Sequence, residues 1–178
     1  MSQSASQVRA PDGEAPCVSA VEFRSALSRL ATTVSVITTD GPAGVAGVTC
    51  SAVCALSDDP AMVLVCIHGK SATNAAIKAN QVFCVNSLQA EQRELSQAFA
   101  GIGSIPMRDR FSLTDWDTLV TGAPRCVHAL VALDCRVADV RDIGTHSVFA
   151  AKVLATTESE CGAPLLYQRR VYATTRLL

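Results

Sequence analysis

Runs of β-branched and small apolar residues recur along this chain of 178 residues, and they constrain its fold more than any other feature. Such runs predict one or two short strands within residues 165–175 and six longer strands, which cover residues 32–39, 45–55, 62–67, 81–88, 127–140 and 146–156. These strands do not alternate regularly with helices, as a doubly wound parallel sheet requires. We therefore predict a mainly β fold, an antiparallel barrel that carries a few helices.

The helical patterns are few and short. Ser19 with Glu22 three residues later forms a capping-box pattern, which predicts the start of a first helix. An Ala-rich run predicts a second helix over residues 71–80, and a third helix is predicted over 91–100.

The segments between these elements carry further expectations. Residues 57–60 are rich in Asp and Pro and predict a loop, and residues 101–121 predict a longer irregular region. Residues 62–67 are continuously apolar, which predicts a strand buried on both faces.

The composition bounds the class of protein. Hydrophobic residues make up 49% of the chain but aromatic residues only 4%, and the mean hydropathy is +0.27. This surplus of small aliphatic residues predicts β packing together with an interface buried between subunits. The net charge of −1 gives no sign of the basic surface of a nucleic-acid-binding protein. No apolar run reaches the ~18 residues of a membrane-spanning helix, so no membrane association is expected.

The start of the chain is polar and contains Pro. It lacks the cationic start and apolar centre of a signal peptide, which predicts a disordered tail over residues 1–18 of a cytoplasmic protein. Residues 19–178 are then expected to form one domain.

Eight cysteines raise the question of disulfides or a metal. No Cys-x-x-Cys pair occurs, and several cysteines lie inside apolar strand-like runs, as Cys66 and Cys84 do. We interpret them as buried free thiols that pack as small hydrophobic side chains, and we expect no metal site.

The first candidate site is the run from Gly47 to Ala52, followed by the turn at 57–60. Small residues and hydroxyls at a strand end leave room for a flat ligand to approach backbone and hydroxyl donors. Spacing alone favours an ordinary hydroxyl-rich strand and turn.

The second candidate is the segment 68–73, which lies between a predicted strand and a predicted helix. Backbone N–H groups at a helix start, beside Gly69, Lys70 and two hydroxyls, can bind a phosphate. Ser71 or Thr73 acting as an ordinary N-cap beside a solvated Lys explains the segment equally well. Both interpretations stay open.

The third candidate is His146, which opens a predicted strand next to a Gly turn and could face a cleft. His128 lies within an apolar run and is interpreted as structural. No Ser/His/Asp arrangement or paired carboxylates are visible, and Asp58 with Asp59 predicts a solvated turn.

An ordered set of short segments then connects these candidates from about Phe23 to Tyr172. Its members are Trp116 and residues 23–24, 32–38, 47–52, 57–60, 83–88, 96–101, 110–111, 121–124, 144–149, 164–167 and 169–172. Together they resemble the short-chain flavin reductases, the reductase components of two-component flavin monooxygenases. The resemblance implies a split β-barrel of the FMN-binding type and a homodimer.

The resemblance also implies roles for individual residues. The flavin would lie against Thr49, Cys50, Ser51 and Ala52, with Ser57 near its ring or ribityl chain. Its phosphate end would meet Cys66, Ile67, His68, Gly69, Lys70 and Ser71, with Lys70 as the charge partner. Further along the flavin cleft would lie Asn86, Phe99 and Arg110. The nicotinamide side would be lined by His146, Tyr167 and Arg169.

The expected activity is NADH-dependent reduction of free FAD, or alternatively FMN, in which hydride passes directly between the two cofactors and no catalytic side chain is needed. The reduced flavin would supply a partner monooxygenase, by resemblance one that hydroxylates aromatic compounds such as chlorophenols. Two alternatives use the same barrel: a non-catalytic flavin or haem carrier, and an oxidase of the pyridoxamine-phosphate type.

Overall fold

The computed structural model describes residues 16–176. Its helices are α1 (Ala20–Leu27), α2 (Ala72–Asn80), α3 (Arg93–Phe99) and α4 (Met107–Arg110). Its strands are β1 (Thr32–Thr33), β2 (Ser35–Thr39), β3 (Ala46–Cys50), β4 (Val53–Asp58), β5 (Ala61–His68), β6 (Val82–Ser87), β7 (Trp116–Thr118), β8 (Pro124–Cys126), β9 (Val131–Ile143), β10 (His146–Glu158), β11 (Leu166–Gln168) and β12 (Val171–Ala173). Single 3₁₀ turns cover Ala90–Gln92, Ile102–Ser104 and Phe111–Leu113.

Seven strands form the main sheet, in the order β3-β2-β6-β9-β10-β5-β4, with every neighbouring pair antiparallel. The two outermost strands, β3 and β4, are consecutive in the chain and are joined by Ser51 and Ala52 alone. A link of two residues spans at most about 7–10 Å, so the sheet must curl until its two edges meet. We call Ser51 and Ala52 the seam.

The interior of the curled sheet is apolar. Its centre contains Ile37, Val65, Phe83 and Phe149, all of them at most 1% exposed. A second apolar cluster forms where α3 and the segment before β7 pack on the outside of β2 and β6, and it includes Val36, Leu88, Phe99 and Leu165. This second cluster fixes α3 beside the seam.

A small three-stranded sheet, β1-β11-β12, flanks the barrel. It is attached through β1, because Val34 bonds to the carbonyl of Leu165 (2.9 Å) and Leu88 bonds to that of Val34 (2.9 Å). Strands β11 and β12 form a hairpin whose turn consists of Arg169 and Arg170. Helix α1 has the predicted capping box but no buried residue.

The mainly β, antiparallel prediction is confirmed, and the predicted helices exist with shifted bounds. The tail prediction concerns residues that lie almost wholly outside the described ones. All eight cysteines are free, and Cys50, Cys84, Cys126 and Cys135 are buried as predicted. The prediction was wrong for Cys66, which is half-buried because it alternates with the inward Val65 and Ile67 on β5, and for Cys17, Cys54 and Cys161, which are exposed.

Three local expectations were wrong. Strand β5 is not buried on both faces: Val63, Val65 and Ile67 point into the core, whereas the residues between them are only half-buried. An antiparallel sheet with one covered face produces this alternation, and the apolar composition of β5 hides it. Residues 57–60 are not simply a loop, because β4 continues to Asp58, and the region 101–121 contains α4 and β7.

Candidate functional site

Three adjoining cavities form one continuous groove along the seam. The central cavity, about 240 Å³, is lined by Val48, Thr49, Cys50, Ser51, Ala52, Cys66, Ile67, His68 and His146. It shares Thr49, Cys50 and Ser51 with a cleft of about 550 Å³ beside the β11–β12 turn, which we call the hairpin cavity. It shares His68 and His146 with a cavity of about 380 Å³ that also contains Lys70 and Lys78, which we call the lysine cavity.

The seam supplies unused hydrogen-bonding groups to the centre of the groove. Ser51 and Ala52 are exposed and belong to neither strand, since the chain passes there from one edge of the sheet to the other. Neither the backbone N–H nor the hydroxyl of Ser51 has a partner among residues 16–176. A flat, polar-edged ring can therefore approach this wall closely and accept a hydrogen bond from it.

Thr49 and Cys50 are occupied within the protein. The Thr49 hydroxyl donates to the carbonyl of Ser96 (2.6 Å), and the Cys50 thiol lies 3.4 Å from the carbonyl of Cys66. Burial raises the pKa of Cys50 to about 11, against a smaller opposing effect of the Ala52 backbone. The Cys50 thiol is therefore protonated at neutral pH and is not a nucleophile. These two residues shape the wall rather than offer free groups.

Two histidines lie side by side at the boundary of the central and lysine cavities. His68 ends β5 and His146 opens β10, and they are direct partners in the sheet register. Their rings meet edge to face with centroids 5.2 Å apart. Nδ1 of His68 accepts a hydrogen bond from the N–H of Lys70 (3.1 Å), so the neutral ring carries its proton on Nε2. Both rings are exposed to the groove.

The lysine cavity contains an uncompensated cation. Lys78 pairs with Asp142 (2.8 Å), and the hydrogen bonds that Lys78 and Ser147 donate hold the pKa of Asp142 below its ordinary value. Lys70, in contrast, forms no ion pair within the described part of the chain. Lys70 is therefore free to bind an anionic group of a ligand.

The backbone near Lys70 contributes less than the sequence suggested. The N–H groups of Gly69, Lys70 and Ser71 donate to Thr145 (2.9 Å), to the His68 ring (3.1 Å) and to the His68 carbonyl (2.9 Å), respectively. Ser71 is the N-cap residue of α2, yet its hydroxyl makes no capping bond. An anion here would be bound by the Lys70 ammonium rather than by these three amides.

The structure does not bring Asn86 and Phe99 to the groove. Asn86 is fully buried; its amide donates to the Val36 carbonyl (3.0 Å) and accepts from the N–H of Cys126 (2.7 Å). Phe99 is 1% exposed and packs edge to face on Phe111, with ring centroids 5.1 Å apart. Both residues therefore stabilise the protein interior behind the groove and do not line it.

Four further predicted residues lie outside the lining of all three cavities: Ser57, Ser71, Arg110 and Arg169. Arg110 donates its Nε–H to the carbonyl of Ile105 (2.8 Å) and so braces its own loop. In the β11–β12 turn, Arg170 lines the hairpin cavity and its neighbour Arg169 does not. Tyr167 lines that cavity, as expected.

Sequence reasoning missed several residues of the hairpin cavity, chiefly Arg93, Gln97, Arg170 and Tyr172. The guanidinium of Arg93 lies over the ring of Tyr172, 5.4 Å from its centroid. The Tyr172 hydroxyl is 2.9 Å from that of Ser96 on α3. One signal was visible in the sequence: Arg169-Arg170 occupies a tight turn between two strand-like pairs, where Asn-Gly is the usual choice.

Among residues 16–176, no three His, Cys, Asp or Glu side chains are grouped so that they could bind a metal ion. No helix in this same range has the length and apolar character needed to cross a membrane.

Comparison with known proteins places this groove in context. The family model described as "flavin reductase like domain" matches residues 27–176. The chain is 41% identical over 165 residues to a protein of Rhizobium rhizogenes named FMN reductase (NADH) RutF 2, covering 93% of this chain and 94% of that protein.

Two solved structures share the fold. The flavin reductase PheA2 superposes with a TM-score of 0.82 at 30% identity, over 90% of this chain and all of that one. A nitrilotriacetate monooxygenase component B homologue from Mycobacterium thermoresistibile superposes with a TM-score of 0.80 at 34% identity, over 88% of this chain and 86% of that one.

Proposed function

The chain belongs to the flavin reductase-like family and is an NADH-dependent flavin reductase, and from this premise we propose that it reduces FMN as a freely exchanging substrate and passes it to a monooxygenase. The observation that carries the proposal is the line of unpartnered polar groups along one groove. Ser51 presents free donors at the centre, and Lys70 presents a free cation at one end. Their order matches a flat ring followed by a phosphate.

The proposed flavin would lie along the groove with each of its parts against a different segment. The ring would lie against the seam, where Ser51 and Ala52 present little side-chain bulk. The N–H and hydroxyl of Ser51 would donate to the polar edge of the ring, where negative charge develops on reduction. The ribityl chain would cross the two histidines, and Lys70 would bind the phosphate in the lysine cavity.

The chemistry itself belongs to the two substrates, since a nicotinamide gives a hydride directly to a flavin. The chain then needs to hold the two rings in contact rather than to supply an acid or base. His146 is exposed at the central cavity and accessible to a second planar group lying over the first. The hydroxyl of Thr145, 2.9 Å from Nδ1 of His146, holds that ring in place.

FMN is favoured over FAD, although FAD was the first expectation from the resemblance. A relative that is 41% identical over most of this chain is named an FMN reductase. In addition, Lys70 carries the one positive charge of the lysine cavity that Asp142 does not neutralise, which suits a single terminal phosphate.

A partner monooxygenase follows from the proposed exchange of flavin. The three cavities are open clefts at the surface, so reduced flavin can leave them. One structural relative is described as a component of a monooxygenase. A partner that hydroxylates aromatic rings, such as a chlorophenol monooxygenase, stays a prediction, and so does the cytoplasmic location.

We also infer that the chain forms a homodimer. Helix α1 has only eight residues and no buried side chain, and an isolated helix of that length is unstable in water. Its Phe23 and Leu27 are 53% and 47% exposed. Two other large apolar side chains are also exposed, Leu56 on β4 (46%) and Leu154 on β10 (40%). A second copy would cover such surfaces, and light scattering at several protein concentrations tests this directly.

The activity is tested by mixing purified protein with NADH and FMN under argon and following the nicotinamide absorbance. We expect NADH loss that depends on added FMN, whereas FMN binding without NADH loss would contradict the proposal. His146→Ala should raise the KM for NADH more than the KM for FMN. His128→Ala is the matched control, because His128 is also exposed but pairs with Asp115 away from the groove.

A further inference from the structure

The hairpin cavity carries a charge pattern that the flavin does not use. Two of its lining residues are charged, Arg93 and Arg170, and none of the others is Asp or Glu. Neither guanidinium forms an ion pair with any described residue. Two uncompensated cations on the walls of a cleft of about 550 Å³ favour an anionic ligand.

The backbone at Arg170 supports a role in binding. Gln168 pairs with Val171, so Arg169 and Arg170 form a two-residue turn, and both have positive φ, 49° and 65°. Turns of this kind favour Asn-Gly, because a Cβ is strained in the left-handed region. The turn itself gives no reason for an Arg at position 170, and the Arg170 side chain lines the hairpin cavity.

The direction of the groove identifies the ligand. With the flavin ring at the seam and its phosphate at Lys70, any extension of the flavin beyond its phosphate begins in the lysine cavity. The hairpin cavity lies on the other side of Ser51, so it is not reached from there. A dinucleotide whose nicotinamide lies over the flavin ring can extend its phosphates in that direction.

Aromatic residues complete the cavity. The Tyr167 ring is 40% exposed and meets Tyr172 edge to face, with centroids 5.3 Å apart. Tyr172 is itself fixed by Arg93 on its ring and by Ser96 at its hydroxyl. An exposed, supported aromatic ring provides a surface on which a purine can stack.

We propose that Arg93 and Arg170 bind the pyrophosphate of NADH in the hairpin cavity, with the adenosine placed along Tyr167. This inference rests on the proposed flavin reductase function, because it assumes that NADH meets the flavin at the seam. It assigns the phosphate contact to Arg170 and not to its neighbour Arg169.

The test uses a matched pair of variants, Arg170→Gly and Arg169→Gly. Each removes one Arg and one strained residue from the same turn, but only Arg170 lines the cavity. We expect Arg170→Gly to raise the KM for NADH about tenfold, the loss expected for one charge-assisted contact, with the KM for FMN unchanged. Arg169→Gly should leave both values unchanged, and Arg170→Lys should restore part of the NADH affinity.

Binding of ADP-ribose, measured by calorimetry, separates this inference from the proposed function. ADP-ribose carries the pyrophosphate without the nicotinamide, so its affinity should fall about tenfold in Arg170→Gly whether or not the enzyme turns over. Added salt should weaken ADP-ribose binding to the wild type more than to the variant. Equal effects of the two Gly variants, or a rise in the KM for FAD alone, would overturn the inference. Wild-type protein that binds ADP-ribose but oxidises no NADH would instead overturn the proposed function.

Discussion

The barrel interior around Asn86 and the groove around Ser51 are both rich in polar groups, but they differ in whether those groups have hydrogen-bond partners within the protein. In the interior, every buried side-chain N and O atom of the described residues has a hydrogen-bond partner. Along the groove, the side chains of Ser51, Lys70 and Arg170 have none within the same part of the chain. Partnered polar groups stabilise the fold, and groups left without partners mark the surface that a ligand completes.

The largest effect should come from breaking the interior network. Asn86→Ala removes the acceptor of the buried Cys126 N–H, and with it the bond that the amide donates to the Val36 carbonyl. We expect the free energy of unfolding to fall by about 3 kcal/mol. Urea unfolding measures it, with Gln97→Ala in the groove as a control that should change stability little. If the variant had normal stability but no longer bound FMN, Asn86 would be a flavin-binding residue, as the resemblance implied.

A second variant tests the packing that links the interior to the groove. A Cβ at Gly47 would lie 2.5 Å from the Phe99 ring, which cannot move freely because it is buried. Gly47→Ala should therefore lower stability by about 2 kcal/mol. Phe99→Leu in the same chain should recover part of this loss. If Gly47→Ala unfolded at the wild-type urea concentration, Phe99 would be less firmly fixed than its contacts indicate.

A substitution in the groove should weaken ligand binding and leave the stability of the fold unchanged. Lys70→Ala is expected to raise the KM for FMN about fivefold and to leave that for riboflavin, which lacks the phosphate, unchanged. Stability should be unaffected, since Lys70 is exposed and pairs with no described residue. Lys152→Ala, an exposed lysine outside the groove, is the control. Equal losses for FMN and riboflavin would show that Lys70 does not contact the phosphate.

The smallest effect concerns Asp142, whose pKa is lowered by Lys78 and Ser147. A carboxylate with a lowered folded pKa stabilises the protein at neutral pH, and this contribution is lost as the pH falls below about 4. Asp142→Asn should therefore unfold at slightly lower urea than wild type at pH 7 and at the same urea in acid. In a Lys78→Ala background the difference at pH 7 should shrink. A difference that persisted unchanged in acid would mean that charge is not its origin.

The strands were largely predictable from sequence, because β-branched runs such as 32–39 and the helix cap at Ser19 depend on local preference. The loop at 101–121 was not, since α4 and β7 are held there by contacts of Phe111 and Trp116 with α3. Local sequence also could not separate Asn86 from Ser51. Both are polar and lie in or beside strands, and only the folded register decides which has its partners already.

The choice between the two arginines of the β11–β12 turn also depends on the folded backbone. Arg169 and Arg170 are identical in type and adjacent, so sequence gives no basis for choosing between them. The direction of each side chain depends on the positive φ of both residues, which follows from the pairing of Gln168 with Val171. Arg93 was missed for a related reason: it approaches the groove from α3, which packs beside the seam through long-range contacts.

The seam limits how this binding wall can diverge. Because Ser51 and Ala52 join β3 directly to β4, inserting or deleting one residue there would shift β4 on β5 by one position and turn Val53, which packs against the core, away from it. Substitutions at the same two positions leave the register intact. Insertions and deletions should thus be tolerated in the segment 101–121 and eliminated at the seam. A library designed to change flavin preference should therefore vary the identity of the seam residues and never their number.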